Sequence, residues 1–234
     1  MTMNFEMLKN IMIAQTNKTG VTANNLANMN STGFKRDVAF VDYLNENTDS
    51  DLTVKTDFSS GQLKQTANPL DLAITGRGFF SVDTKSGEAY TRDGHFQIGQ
   101  DGTLRTSDGN PVLGEGGLIN VSMDGMKTGD FNISTKGEIF MNNELMDVLR
   151  IVDFSSYDNL KKTGGSFFQS TNGMTPMRVE EPSVKQGSLE VSNVSPVEEM
   201  IDLIELQRQF ESSQRTVKII DSILGKAVND IGKY

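Results

Sequence analysis

The residues able to do chemistry are few. His95 is the sole histidine, and the 234 residues include no cysteine. His95 lies in the stretch YTRDGHF (90–96), close to Asp93, in a segment that reads as a turn. A lone imidazole there is read as a turn residue rather than a general acid or base. Without a second His or any Cys no zinc set can form around it. Thiol nucleophiles, thiolate metal sites and disulfides are excluded outright. Asp49-Ser50-Asp51 opens like a calcium loop, but Val54 stands where an EF-hand needs its Gly and Ser60 where it needs its Glu. Thr75-Gly76-Arg77-Gly78 follows a strand-like run, yet Ser81 occupies the place of the third glycine in a dinucleotide fingerprint. A close-packed turn before Phe79-Phe80 is the better reading. No P-loop and no G-x-S-x-G are present. The sequence therefore predicts no catalytic residue, no metal and no cofactor, and a chain that is not an enzyme.

Bulk properties narrow the partners. A formal charge of -9 disfavours nucleic acid and anionic membrane surfaces, and no Lys/Arg-rich patch offsets it. Hydrophobic content of 36% and a mean hydropathy of -0.37 fit a turn-rich β texture, because the polarity resides in Gly, Ser, Thr, Asn and Asp. No apolar run approaches the roughly 20 residues that would span a bilayer, so no membrane insertion is expected. The start, MTMNFEMLKNIMIAQTNK, lacks the charged and apolar regions of a Sec signal peptide. Export, if it occurs, is expected by another route.

The elements that must position any interaction surface lie at the two ends. Phe5, Leu8, Met12, Gln15, Thr19, Thr22, Leu26 and Met29 follow one another in steps of three and four, which predicts an amphipathic helix of roughly 40 Å. The same period returns after Pro196 in Leu203, Leu206, Phe210, Ser213, Val217, Ile220, Leu224, Ala227 and Ile231. Ser195 is a suitable N-cap, Pro196 suits the first helical position, and Glu198 and Glu199 suit the positive end of the helix dipole. Between the stripes, short β-rich runs such as 70–74, 78–82, 131–134 and 138–141 alternate with Ser86-Gly87, Asp93-Gly94, Asp101-Gly102, Asp108-Gly109, Asp124-Gly125 and Lys136-Gly137. Asp-Gly pairs between β runs predict hairpins with type I′ turns. The expected fold class is α+β, with terminal amphipathic helices forming a coiled-coil-like module around a central antiparallel β domain. The expected division is an N-terminal helix over 1–33, an extended connector over 34–66, a β-rich domain over 67–185 and a C-terminal helix over 186–234.

Specific stretches then match a known pattern. ANNLANMNSTGFKR (23–36) resembles the N-terminal signature of the bacterial flagellar rod and hook proteins. NPLDLAITGRGFFSV (68–82), YTRDGHF and TSDGNPVLG (106–114) follow in that family's order. VKQGSLEVSNVSPVEEMIDLIELQRQFE (184–211) resembles its shared C-terminal motif. The length points to the rod rather than the hook. Ser195-Pro196-Val197 and the run Gln207-Arg208-Gln209-Phe210-Glu211 resemble the proximal rod type, whereas Glu198-Glu199-Met200 is closer to the distal type.

The resemblance implies a structural subunit that polymerises helically into the basal-body rod, the drive shaft carrying torque from rotor to hook across the periplasm. Its implied partners are further copies of itself, other rod and hook proteins, and the flagellar type III export apparatus. The predicted self-assembly residues are Phe5, Leu8, Met12, Asn24, Leu26, Asn28 and Met29 at one end, with Leu203, Leu206, Phe210, Val217, Ile220 and Leu224 at the other. Gly33 is the predicted helix stop, since it alone of its neighbours accepts a left-handed conformation at no steric cost. Asn24 and Asn28, four apart on one helix face, are expected to hydrogen-bond to a neighbouring helix or backbone. The distal rod type and a monomeric β-rich binding or adhesion module remain the alternatives. Helices this marginal order when neighbours cover their stripes. Limited proteolysis in dilute solution is accordingly expected to leave a core near residues 67–185 while cleaving both ends; ends as resistant as the core would contradict assembly-dependent ordering.

Overall fold

The computed structural model describes residues 2–41, 52–121, 131–171 and 173–231. The architecture is α+β: helix α1 spans Thr2–Ala27, helix α2 spans Pro196–Ile231, and antiparallel strands fill the chain between them. The chain divides into two compact units. One comprises Met1–Ala27, Arg36–Asp57 and Val194–Tyr234, the other Asn28–Lys35 and Phe58–Asn193.

In the first unit, α1 runs unbroken over Thr2–Ala27, and two of its hydroxyls bond back to the preceding turn. Thr16 Oγ1 donates to the Met12 carbonyl at 2.9 Å and Thr19 Oγ1 to the Gln15 carbonyl at 2.8 Å. Helix α2 starts as the sequence predicts: Pro196 is its first residue, and the Glu199 amide donates to the Ser195 carbonyl at 3.0 Å. The segment 34–66, expected to be an extended connector, is more structured than that. Asp37–Val41 and Leu52–Thr56 form an antiparallel ladder from Asp37↔Thr56 to Val41↔Leu52. The Asp49-Ser50-Asp51 motif lies outside the described residues.

The second unit is built around a six-stranded antiparallel sheet in the order Leu160–Gly164, Phe167–Ser170, Gly87–Thr91, Phe79–Thr84, Ile151–Asp153, Met177–Arg178. Because successive strand residues point to opposite faces, neighbouring apolar residues serve two cores. Phe80, Val82, Ala89 and Ile151 join the larger cluster with Leu72, Phe96, Leu104 and Ile139. Phe79, Tyr90 and Val152 join a smaller one with Phe154, Leu160 and Phe168. In the smaller core Phe79 meets Phe168 edge-on at 5.9 Å between centroids and Tyr90 meets Phe154 at 4.9 Å. Two long-range pairings close the unit: Leu72–Ile74 with Val184–Gln186, and Leu63–Gln65 with Ser188–Glu190. Residues 188–190 are therefore strand, and the C-terminal helix begins only at Pro196.

The turns correct the type I′ expectation for the Asp-Gly pairs. At Asp101-Gly102 and Asp108-Gly109 only the glycine is left-handed (φ +76° and +82°), whereas a type I′ turn needs positive φ at both central residues. Asp124-Gly125 lies outside the described residues. Among the described residues, a two-residue turn with both residues left-handed is Asn142-Asn143 (φ 49° and 70°), joining the paired residues Met141 and Glu144. Asparagine tolerates that conformation through local hydrogen bonding. Asn143→Gly is therefore expected to hold or raise stability, while Asn143→Val lowers it by about 1–2 kcal/mol in urea unfolding; equal midpoints for the two variants would contradict the turn assignment.

Candidate self-assembly site

Asn25, one residue from the predicted Asn24, organises the helical unit. Its side chain is buried, and its amide donates to the Asp37 carbonyl at 2.8 Å and to Glu199 Oε2 at 3.2 Å. Its Oδ1 accepts from the Asp37 amide at 2.9 Å. One asparagine thus grips the backbone of the first strand from α1 and reaches the first turn of α2. Glu199, 1% exposed, also takes the Arg36 guanidinium through Oε1, and Arg36 reaches Asp202 at 3.6 Å. The sequence marks Glu199 as a dipole-favoured residue of a helix start. The structure uses its carboxylate as a buried anchor for three chain segments.

A second buried node lies within the β unit. Glu190 receives Lys35 Nζ at 2.6 Å, the Gly61 amide at 2.8 Å and Arg92 Nη1 at 3.3 Å. All three charged side chains are at most 4% exposed. Lys35 Nζ further donates to the Ser59 carbonyl at 2.7 Å, and Arg92 Nη2 to the Gly76 carbonyl at 2.6 Å. Burial pulls the Arg92 guanidinium below its ordinary range, and the Glu190 charge opposes that pull. Gly33 sits beside this node, well past the end of α1 at Ala27. Its φ is +64°, its amide donates to the Glu190 carbonyl at 2.8 Å, and a Cβ there would collide with the Asp93 backbone nitrogen. Glycine is demanded by conformation and by close approach together.

The predicted stripe residues fall as follows. Leu8 and Met12 on α1, with Phe210 and Val217 on α2, line one largely apolar groove of about 710 Å³, bordered also by polar side chains such as Lys9, Asn17, Gln214 and Lys218. Leu206 is buried, Leu203 and Ile220 are half-buried, and Leu224 is exposed. The polar stripe positions also meet, with Ser213 Oγ donating to Gln15 Oε1 at 3.4 Å. Leu26 is half-buried and Asn24 exposed; Asn28 and Met29, half-buried, belong to the β unit, where Ser31 Oγ donates to Asn28 Oδ1 at 3.3 Å. The side chain of Phe5 lies outside the described residues, as do those of Ala227 and Ile231. A search for the single best stripe misses a second one on α2: Val197, Ile201, Ile204, Ile219 and Ile223 are all more than half exposed. Its signal was present in the three- and four-residue steps from Val197 to Ile204.

His95 Nδ1 lies 2.7 Å from Asp71 Oδ1, which also takes Asn68 Nδ2 at 3.0 Å, so the imidazole ties down a turn. Arg77, in the turn before Phe79-Phe80, pairs with Asp153 at 2.9 Å and stacks on Tyr157. Among the described residues no group of His, Asp and Glu could hold a metal ion, and no helix is long and apolar enough to cross a membrane.

Comparison with known proteins gives a consistent result along the chain. Residues 10–35 match the family model described as flagella basal body rod protein, 73–141 the flagellar hook protein FlgE/F/G D1 domain, and 185–230 the flagellar basal body rod FlgEFG protein C-terminal region. The chain is 34% identical over 233 residues to the flagellar basal-body rod protein FlgF of Caulobacter vibrioides, covering 91% of each. It is 32% identical over 247 residues to the flagellar basal-body rod protein FlgG of Bacillus subtilis, covering 91% of this chain and 92% of that one. Against the flagellar basal-body rod protein FlgF of Salmonella typhimurium it is 33% identical over 233 residues, covering 90% and 91%.

The node around Glu199 is testable by single substitutions. Asn25→Ala removes the bonds to Asp37 and Glu199 and is expected to cost about 1–3 kcal/mol. Gln207→Ala, at an exposed position of α2, is expected to stay within about 0.5 kcal/mol of the parent. Arg36→Met, which strands a buried carboxylate, is expected to cost about 3–5 kcal/mol. Urea unfolding followed by helical circular dichroism measures all three; equal losses for Asn25→Ala and Gln207→Ala would refute the node.

Proposed function

The chain belongs to the flagellar basal-body rod protein family, and on that premise we propose that it is a structural subunit that polymerises helically into the rod. In that role it transmits torque from rotor to hook and performs no catalysis. It works in the flagellar basal body, beside copies of itself and other rod and hook proteins, after export by the flagellar type III apparatus. The observation that carries this reading is the state of the helical unit. Its apolar groove, lined by Leu8, Met12, Phe210 and Val217, stays open, and the opposite face of α2 exposes five large aliphatic side chains. A unit with so much uncovered apolar surface gains stability when neighbours supply the missing cover.

The predicted residues take two parts in this proposal. Leu206 and its seam partners hold α1 and α2 of one subunit together as a coiled-coil-like module. Met12, Phe210 and Val217 then present the groove to a terminal helix of a neighbouring subunit. Contacts of this kind are heterologous and do not close, so they generate a filament. We take the proximal rod type as the finer assignment, on the resemblance of Ser195-Pro196-Val197 and residues 207–211; Glu198-Glu199-Met200 favours the distal type.

Leu206→Asp and Phe210→Asp are the decisive variants. An unpaired carboxylate in either place is strongly unfavourable. Both are expected to abolish rod assembly and motility while the protease-resistant β core survives. A normal rod from either variant would overturn the assignment.

A further inference from the structure

Three turns of the β unit surround a polar cleft of about 390 Å³. One joins the paired strands Phe79–Thr84 and Gly87–Thr91, one follows Leu104–Thr106, and one joins Leu160–Gly164 to Phe167–Ser170. Hydrogen bonds fix their places. The Asp83 amide donates to the Pro111 carbonyl at 2.9 Å, and the Asn110 amide to Thr106 Oγ1 at 3.2 Å. Gln169 Nε2 donates to the Ser86 carbonyl at 3.4 Å. The side chains of Ser86, Asp108, Asn110 and Thr163, by contrast, have no hydrogen-bond partner among the described residues, although all four line the cleft. Phe167, half-buried against the larger core, adds an aromatic ring to the same wall. A wall held in place thus carries donors and acceptors that the fold does not use.

The lining decides which chemistry the cleft can take. Asp108 is the one charged residue among the described residues that line it. A phosphate or other anion would face that carboxylate with no cation to offset it. One carboxylate is also too few for a calcium or magnesium ion, which gathers about six or more oxygen ligands. An apolar ligand would take water from the carboxylate, amides and hydroxyls and give nothing back. A sugar answers every group. Its hydroxyls donate and accept, as Ser86, Thr163 and Gln169 require, and its C–H face suits the negative face of the Phe167 ring. An acetamido substituent adds an N–H for the Asp108 carboxylate and a carbonyl for the Asn110 side-chain amide. We propose that this cleft binds a neutral, N-acetylated saccharide. All of its residues lie in the β unit of one subunit, so the proposal stands apart from the reading of the chain as a polymerising subunit.

Saturation-transfer difference NMR on the full-length protein, with chitotetraose as the probe, tests this in monomer and polymer alike. Chitotetraose, a tetramer of N-acetylglucosamine, is expected to show transfer to its acetyl methyl and ring protons, with a Kd in the millimolar range or tighter. Asp108→Ala and Asn110→Ala are each expected to weaken binding roughly five-fold, because each removes one hydrogen bond to the sugar. Neither side chain holds the fold together, so both variants are expected to unfold at the parent's urea midpoint. Cellotetraose, which lacks the acetamido group, and tetragalacturonate, which is anionic, are each expected to bind roughly five-fold more weakly than chitotetraose. No transfer to chitotetraose at about 10 mM overturns the proposal. So does binding that both variants leave unchanged, since the sugar would then sit elsewhere. Cellotetraose bound as tightly as chitotetraose overturns the role of the acetamido group, and tetragalacturonate bound as tightly overturns the neutral ligand.

Discussion

Two consecutive cations, Lys35 and Arg36, turn to two different glutamates, and the ends of the chain are held to their surroundings through those pairs. Lys35 is buried against Glu190 in the β unit, and Arg36 against Glu199 in the helical unit. Desolvation takes back most of the attraction in such pairs, so their net gain over a well-packed apolar contact is small. Their force lies in what they forbid. A shift of either partner strands a charge out of water, which costs far more than the pair contributes. The exit of α1, the first strand after it and the first turn of α2 are thereby held in one register, with Asn25 bonding to strand and helix alike.

Around that constraint the two units solve the burial problem differently. The β unit is self-sufficient: its six-stranded sheet is covered on both faces, and the Phe79-Phe80 pair sends one ring into each core. Pairing of 63–65 with 188–190 and of 72–74 with 184–186 zips its beginning to its end. The helical unit has apolar residues on more than one side of α2 and only α1 and a short hairpin to cover them. Its open groove and exposed outer stripe follow from having too few elements for its apolar surface. The β unit thus buries its apolar residues on both faces of its sheet, whereas the helical unit leaves part of its apolar surface uncovered.

Much of this was legible from residue spacing. The two helices, the start of α2 at Pro196 and the β character of the middle follow from periods of 3.6 and 2 and from local turn chemistry. The misses have identifiable causes. The four-residue spacing of Asn24 and Asn28 suggests one helix face, whereas Asn25, at no suggestive spacing, bonds to Asp37 and Glu199, which are remote from it in sequence. Asp-Gly marked turns correctly but not their type, since a two-residue turn needs left-handed geometry at both positions and Asn142-Asn143 provide it. The hairpin within 34–66 is hard to see in the sequence because its strands, DVAFV and LTVKT, are short and stand among stretches rich in Asn, Asp, Thr and Ser.

What the sequence determined by itself is local and periodic: which segments are helix, where they start, which side of each is apolar, and that no thiol chemistry is available. It also carried the motifs whose resemblance identified the family, because those motifs are contiguous strings. The tertiary structure alone decided which charge meets which. Lys35 and Arg36 are adjacent, as are Glu198 and Glu199, and nothing in those runs says that Lys35 takes Glu190 while Arg36 takes Glu199 and leaves Glu198 to solvent. Pairings of that kind depend on the three-dimensional path that brings remote segments together and on the burial that makes an error costly, and neither is written in the order of residues along the chain.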